Sequence, residues 1–326
     1  MSSPPAASPF WTGKRVLVTG ASGFVGHNLV PLLERTGGEL VLPTRRDYDL
    51  TEQEAVRRML ATTRPDVVLH LAGLVGGILA NARQPADYLY QNLVMGTLVL
   101  EESRKAGVRK YVTLIGGCSY PATAPSPIAE ERLWDGYPQA ESAPYSLAKR
   151  MAVVAAEAYR RQHGFDAIVL VPGNLYGPHD NFDLESSHVI PALIRKFWEA
   201  RRDGHPEVTA WGTGRPLRDF VYVEDACAGI LRATESYSSP EIVNISSGAR
   251  VSIRELVETV ARLVGYEGRI VWDASKPDGQ LDKGFDVTRM KAWLHHECET
   301  PLVEGLRKTL RWFEANYAHA RLKVGP

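Results

Sequence analysis

Tyr145 and Lys149 stand four residues apart in the run PYSLAK, downstream of a glycine-rich TGASGFVG turn at residues 19–26. Four residues is one helical turn, so the two side chains leave the same face of a helix. A phenol becomes a usable proton donor near neutral pH when a cation sits beside it, and the lysine supplies one. In the turn, Gly20, Gly23 and Gly26 follow an apolar strand and open a helix, the context a dinucleotide site requires. Gly20 permits the tight turn, Gly23 lets backbone N–H groups approach a pyrophosphate, and Gly26 allows close helix–strand packing. The helix start, with Ser22, Phe24 and Val25 around it, adds about half a positive charge. Turn and pair together point to hydride transfer to or from a carbonyl.

The end of the second strand bears on which dinucleotide is held. An acid there grips ribose hydroxyls, whereas this chain reads Thr44-Arg45-Arg46. Guanidinium groups at Arg45 and Arg46 suit a 2′-phosphate, which they bind bidentately, so NADPH is expected. Asp47 and Asp49, with Leu50 after them, keep NAD open.

The elements that would carry these groups follow from the apolar pattern. Strands are expected at 14–19, 39–43, 65–72, 110–115 and, as one run, 166–177; helices at 24–36 and from 145 to about 162, ended by His163-Gly164. Continuous apolar strands alternating with helices imply an α/β fold, a doubly wound parallel Rossmann sheet covered on both faces. From about residue 178 the rhythm changes. Residues 11–178 with about 220–248 read as the dinucleotide-binding domain, and about 179–219 with 249–318 as a smaller α/β substrate domain. Residues 1–10 read as a disordered leader, and the chain's end as a helix with a basic tail.

Composition excludes more than it assigns. Lysine plus arginine matches aspartate plus glutamate at 38 each, so no net field draws the chain to nucleic acid or an anionic membrane. The cysteines Cys118, Cys227 and Cys298 are odd in number and far apart, which argues against a disulfide framework or structural zinc and for a reducing cytoplasm. No apolar run is long enough to cross a membrane. His295-His296 lacks partners at ligand spacing, so no metal site is expected and the pair reads as surface.

Beyond these two motifs, the blocks LAGLVGGILAN (71–81), CSYP (118–121), YSLAK (145–149), PGNLYGPHDNF (172–182), HVIPALIRKF (188–197) and WGTGRPLRDFVYVED (211–225) resemble the nucleotide-sugar branch of the extended short-chain dehydrogenases/reductases. Within that branch they are most similar to the GDP-L-fucose synthase family, over about residues 14–315. The resemblance implies that Tyr145 protonates the oxygen on carbon 4 of a keto sugar as hydride arrives, while Lys149 holds the nicotinamide ribose. It implies that Cys118 and His188 are the base and acid that epimerize carbons 3 and 5, positions acidified by the neighbouring ketone. Cys118 would then need a cationic neighbour or a histidine, since free thiols are scarcely ionised at neutral pH. Leu71, Ala72, Gly73, Asn92, Pro172, Asn174, Leu175 and His188 fall along the dinucleotide. Asn174, Val189, Lys196, Trp211, Arg218 and Lys283 fall along a GDP-linked sugar. A homodimer joined through helices near 85–106 and 145–162 is implied as well.

One departure stands out. The family carries a serine or threonine four residues before Tyr120, and here that position is Gly116, followed by Gly117. Losing such a donor to the reacting oxygen costs about 10²–10³ in turnover. Substrate or water replaces it, Tyr145 suffices alone, or the chain has given up reduction; the double glycine also suggests room for a bulkier, seven-carbon sugar. A redox-neutral epimerase retaining its dinucleotide, and a catalytically silent dinucleotide-binding scaffold, therefore remain alternatives to a 4-keto reductase.

Overall fold

The computed structural model describes residues 8–320 except Pro277. The strands are β1 Arg15–Thr19, β2 Glu39–Val41, β3 Val67–His70, β4 Lys110–Leu114, β5 Ala167–Pro172, β6 Asn174–Tyr176, β7 Glu207–Trp211, β8 Leu217–Tyr222, β9 Val243–Ile245, β10 Arg250–Ser252, β11 Arg269–Asp273 and β12 Asp282–Lys283. The α-helices are α1 Phe24–Glu34, α2 Gln53–Thr63, α3 Ile78–Arg83, α4 Pro85–Lys105, α5 Ala143–His163, α6 Val189–Asp203, α7 Val223–Ser236, α8 Ile253–Val264, α9 Thr288–Leu294 and α10 Leu302–Asn316.

Six strands form one parallel sheet in the order β2-β1-β3-β4-β5-β9. Strands such as Val67–His70 and Ala167–Pro172 are buried along their whole length, because helices cover both faces. Val16, Val18, Leu69 and Leu170 pack with Ala226 and Ile230 of α7 on one side. Leu17, Val68 and Val169 pack with Val56 of α2, Val99 of α4 and Val153 of α5 on the other. After β1 the chain steps outward to β2 and returns on the opposite side as β3. That reversal opens a crevice at the carboxyl ends of β1 and β3, where such sheets bind ligands.

The second lobe has its own core, with Phe197 of α6, Leu256 of α8 and Phe313 of α10. Its sheet joins β10, β8 and β12, with β6 also on β8. β8 ties the lobes together: Val221 packs with the first core while Phe220 and Tyr222 pack with the second. The strand at 220–222 thus belongs to this sheet, and only α7 and β9 return to the six-stranded layer. The single run expected at 166–177 is two strands, because Gly173 breaks it and sends β6 across to β8.

α5 begins two residues earlier than the pattern suggests and ends where expected, at Gly164 with φ 63°. Of the expected leader, residues 1–7 lie outside the described residues. Phe10 does not behave as leader, since its ring meets the fully buried Trp11 edge-on at 4.9 Å. The basic tail, 321–326, lies outside the described residues.

Candidate active site

The glycine turn forms the floor of a cavity of about 280 Å³ that runs from β1 to the end of β2. Gly20 sits at φ 75°, and a Cβ there would come 2.6 Å from the Ala72 nitrogen, so only glycine fits. A Cβ on Gly26 would lie 2.6 Å from the Ala21 carbonyl carbon, which explains the close seating of α1. Gly20, Ser22, Gly23, Arg45, Asp49, Leu50, Leu71, Ala72 and Gly73 line the cavity. Phe24 and Val25 pack instead against the core beneath it. Arg46 is exposed and off the lining. Asn92 lies behind the loop: its Oδ1 accepts from Leu74 N at 3.1 Å and its Nδ2 donates to the Leu74 and Tyr88 carbonyls. It fixes the cavity wall.

The acids at the end of β2 are already engaged. Asp47 Oδ2 accepts from Thr44 N and Oγ1 at 2.9 and 2.7 Å. Asp49 Oδ1 accepts from Thr51 N and Oγ1 at 2.9 and 2.7 Å, and Arg45 stands 3.8 Å from its other oxygen. These bonds hold Asp47 and Asp49 below the usual carboxylate range. Arg45, mostly exposed on the rim, is the charged group presented to the cavity. Tyr48, Met59, Gln91 and Met95 also line the cavity and carried no sequence signal, since such contacts obey no spacing rule.

Beyond this cavity, α5 delivers Tyr145 and Lys149 from one face, as the four-residue spacing requires. Tyr145 is buried, and its phenol is raised by burial first, then by the charges of Cys118 and Tyr88. Lys149 is not among the groups that shift it, contrary to the expected lowering. Burial holds Lys149 itself down to about 8 against the opposing pull of Cys118. His70, hydrogen-bonded to Thr19 at 2.8 Å, is driven to about 3 by burial and by Lys149, so it is neutral. Its place at the end of β3 gave no hint of this in the sequence.

Cys118 lies in a 3-10 turn, Gly117–Ser119, that α5 secures: Ser146 Oγ donates to the Cys118 carbonyl at 3.0 Å and Arg150 Nε to the Ser119 carbonyl at 2.6 Å. The segment is therefore a turn and not an extended stretch. The space of the double glycine is filled. A Cβ on Gly116 would lie 3.1 Å from the Cys118 sulfur and 3.9 Å from Tyr145 Cε1; one on Gly117 would overlap the Phe285 ring, 2.8 Å from Cε1. Room for a larger sugar does not arise at Gly117, where the Phe285 ring stands. Lys149 and Lys283 both feel the charge of Cys118.

His188 is the residue before α6 and makes no capping bond with its side chain. It presents open surface, while crowding by the surrounding protein pushes its imidazole below the ordinary value. The 186–188 segment joins the Tyr145 region through Gly77, whose N–H donates to the Ser186 carbonyl at 2.8 Å, and Gly76, packed under Tyr88. The Tyr88 and Tyr145 rings are 6.3 Å apart. Val189 follows on the exposed side of α6.

Farther out, Lys196 stands 5.2 Å over the half-exposed ring of Trp211. Arg218 donates to the Leu217 carbonyl at 2.8 Å and, more weakly, to that of Asp278. Asp219 and Asp225 are committed elsewhere, to Ser247 and Gly248 and to Thr300. Pro172 ends β5; Asn174 opens β6, its amide donating to the Asp219 carbonyl at 2.7 Å, and Leu175 packs on the first core. Of the histidine pair, His295 is exposed, while His296 is partly buried and its Nε2 meets the Asp225 carbonyl at 2.9 Å. Cys227 is fully buried.

The model for the NAD dependent epimerase/dehydratase family matches residues 16–246. A probable GDP-L-fucose synthase 1 of Oryza sativa subsp. japonica is 42% identical over 95% of this chain and 94% of its own. The GDP-L-fucose synthase of Escherichia coli (strain K12) is 40% identical over 93% and 97%. The crystal structure of a GDP-L-fucose synthetase from Naegleria fowleri bound to NADP superposes with a TM-score of 0.88 at 29% identity, covering 95% of this chain and 97% of that one. With its six-stranded Rossmann sheet, glycine turn and Tyr145–Lys149 pair, the chain belongs to the NAD dependent epimerase/dehydratase family, in the nucleotide-sugar branch that holds the GDP-L-fucose synthases.

Proposed function

We propose that this protein is an NADPH-dependent enzyme that reduces the 4-keto group of a GDP-linked 4-keto-6-deoxy sugar, with epimerization at carbons 3 and 5. The observation that carries the reading is the convergence of Tyr145, Lys149 and Cys118 beyond the glycine-turn cavity, in a chain aligned almost end to end with GDP-L-fucose synthases. NADPH supplies the hydride. Gly20, Ser22 and Gly23 receive its pyrophosphate at the start of α1, and Arg45 its 2′-phosphate, since Asp47 and Asp49 are held by the turn they cap.

Tyr145, kept protonated by its surroundings, gives its proton to the oxygen on carbon 4. Lys149 orients the nicotinamide ribose. Cys118 removes a proton on one side of the ring and His188 returns one on the other, with Lys149 and Lys283 both feeling the charge of Cys118. Lys196, Arg218 and Trp211 hold the nucleotide diphosphate end, with Val189 and Asn174 along the sugar.

The protein acts as a homodimer through α4 and α5, whose outer faces expose Leu89, Tyr90, Met151 and Val154. Its free cysteines suit a reducing cytoplasm. Among the described residues no helix is long and apolar enough to cross a membrane.

The test is loss of NADPH absorbance on mixing with GDP-4-keto-6-deoxymannose. Steady consumption with one deoxysugar formed per NADPH supports the reading. Deuterium uptake from heavy water with no cofactor consumption would replace it with a redox-neutral epimerase.

A further inference from the structure

Lys283 is a partly buried lysine with no carboxylate in ion-pair distance among the described residues, and its placement is tightly specified. It lies in β12, in register with Arg218 of β8. Two residues on, Phe285 is 2% exposed and its ring fills the space that a side chain at residue 117 would need. Residues two apart in an extended segment share a face. Lys283 therefore turns to the same side as Phe285, the side of the turn that carries Cys118.

The segment cannot drift from there. Gly284 N donates to Ser126 Oγ at 2.9 Å, Ile128 N to the Gly284 carbonyl at 2.8 Å, and Asp286 N to the Ile128 carbonyl at 2.9 Å. Phe285 also packs against Gly173 and, at 6.0 Å between centroids, Tyr120.

We propose that Lys283 is the cation that activates Cys118 for proton removal, seated by the contact of the Phe285 ring with Gly117, and that it is not chiefly a ligand of the nucleotide diphosphate. The proposal rests on the reading of Cys118 as a base toward the sugar ring. Cys118 is faced by Tyr145 and Lys149 from α5 and by Lys283 from β12, with Arg218 beside the last. Lys149 is engaged with the nicotinamide ribose, which leaves Lys283 for the sulfur. The thiolate takes a proton from a carbon beside the ketone and becomes a thiol, while the C–H electron pair passes to the enolate oxygen. Burial lowers Lys283, and the charge of Cys118 opposes that shift. The glycine at 117 thus acquires a reason, since a serine there would expel the ring that seats the lysine.

The test is the pH profile of Cys118 alkylation by iodoacetamide in the full-length protein without substrate, read by mass spectrometry of the Cys118 peptide. Burial raises Cys227 and Cys298, so both serve as slow internal controls. Lys283→Gln should move the midpoint up by about one pH unit or more, the reach of a close opposite charge. Lys283→Arg should restore it, which a merely structural role would not require. Phe285→Leu, which keeps the lysine but loosens its seat, should give a smaller upward shift and provides the readout should Lys283→Gln not fold. An unchanged midpoint in Lys283→Gln, with the Kd for GDP raised tenfold in a binding titration, would make the lysine a diphosphate ligand and overturn the proposal. Because no keto sugar is used, this outcome is independent of whether the protein reduces one.

Discussion

Tyr145 shows how one side chain can be right in place and unexpected in charge. The spacing to Lys149 foretold that both share a face of α5, but not that burial, with Cys118 and Tyr88, would raise the phenol while the lysine leaves it unmoved. For reduction this is the useful state, because the group must hold a proton until an alkoxide forms to take it. Tyr145→Phe should lower the turnover of keto-sugar reduction by about 10²–10⁴ and leave NADPH affinity within about twofold, as fluorescence titration would read. Lys149 gives a pH signature. Its ammonium falls from 10.5 to about 8 on folding, so between those values the unfolded chain binds more protons and stability rises with pH. Lys149→Met should therefore raise the melting temperature of the cofactor-free protein at pH 7, with a gain that shrinks as the pH approaches 10. A gain independent of pH would show that the lysine is not held down by burial.

Elements were legible where one rule decided them. Apolar runs at Val16–Val18 and Val67–Leu69 could only be buried parallel strands, and Gly164 ended α5 as its position announced. The break at Gly173 was not legible, since the apolar pattern runs through it and only the pairing of β6 with β8 reveals the change of sheet. Phe285 escaped for a similar reason: its partner, Gly117, lies 168 residues earlier, and a missing side chain leaves no pattern to read. That contact can be tested as a pair. Gly117→Ser should destabilise the protein by about 1–3 kcal/mol through overpacking, and Phe285→Leu in the same chain should recover part of the loss. Equal destabilisation in single and double variants, measured by urea unfolding, would show that the ring does not answer to residue 117.

For the whole molecule, two lobes share β8, one side of the strand serving each core, so the crevice beside the six-stranded sheet and the strand β12 are braced by a common element. The roles expected of Arg218 and Trp211 came from resemblance and not from physics, since nothing in their spacing places them at a common site. Assembly belongs to this scale too. Replacing Met151 and Val154 on the outer face of α5 by aspartate should convert a dimer to a monomer in sedimentation velocity, since charges in an apolar helix–helix contact are not tolerated. A wild-type protein that sediments as a monomer at micromolar concentration would remove the dimer from the account.

The whole reading turns on hydride passing from nicotinamide to a sugar carbon while the phenol of Tyr145 supplies the proton. The most direct measurement uses NADPH deuterated at the transferring position of carbon 4, with GDP-4-keto-6-deoxymannose, and locates the label by NMR of the product. The account predicts one deuterium on carbon 4 of the sugar, formed at a rate that collapses in Tyr145→Phe. Label that stays on the cofactor while the sugar epimerizes, or a rate unmoved by the substitution, would contradict it.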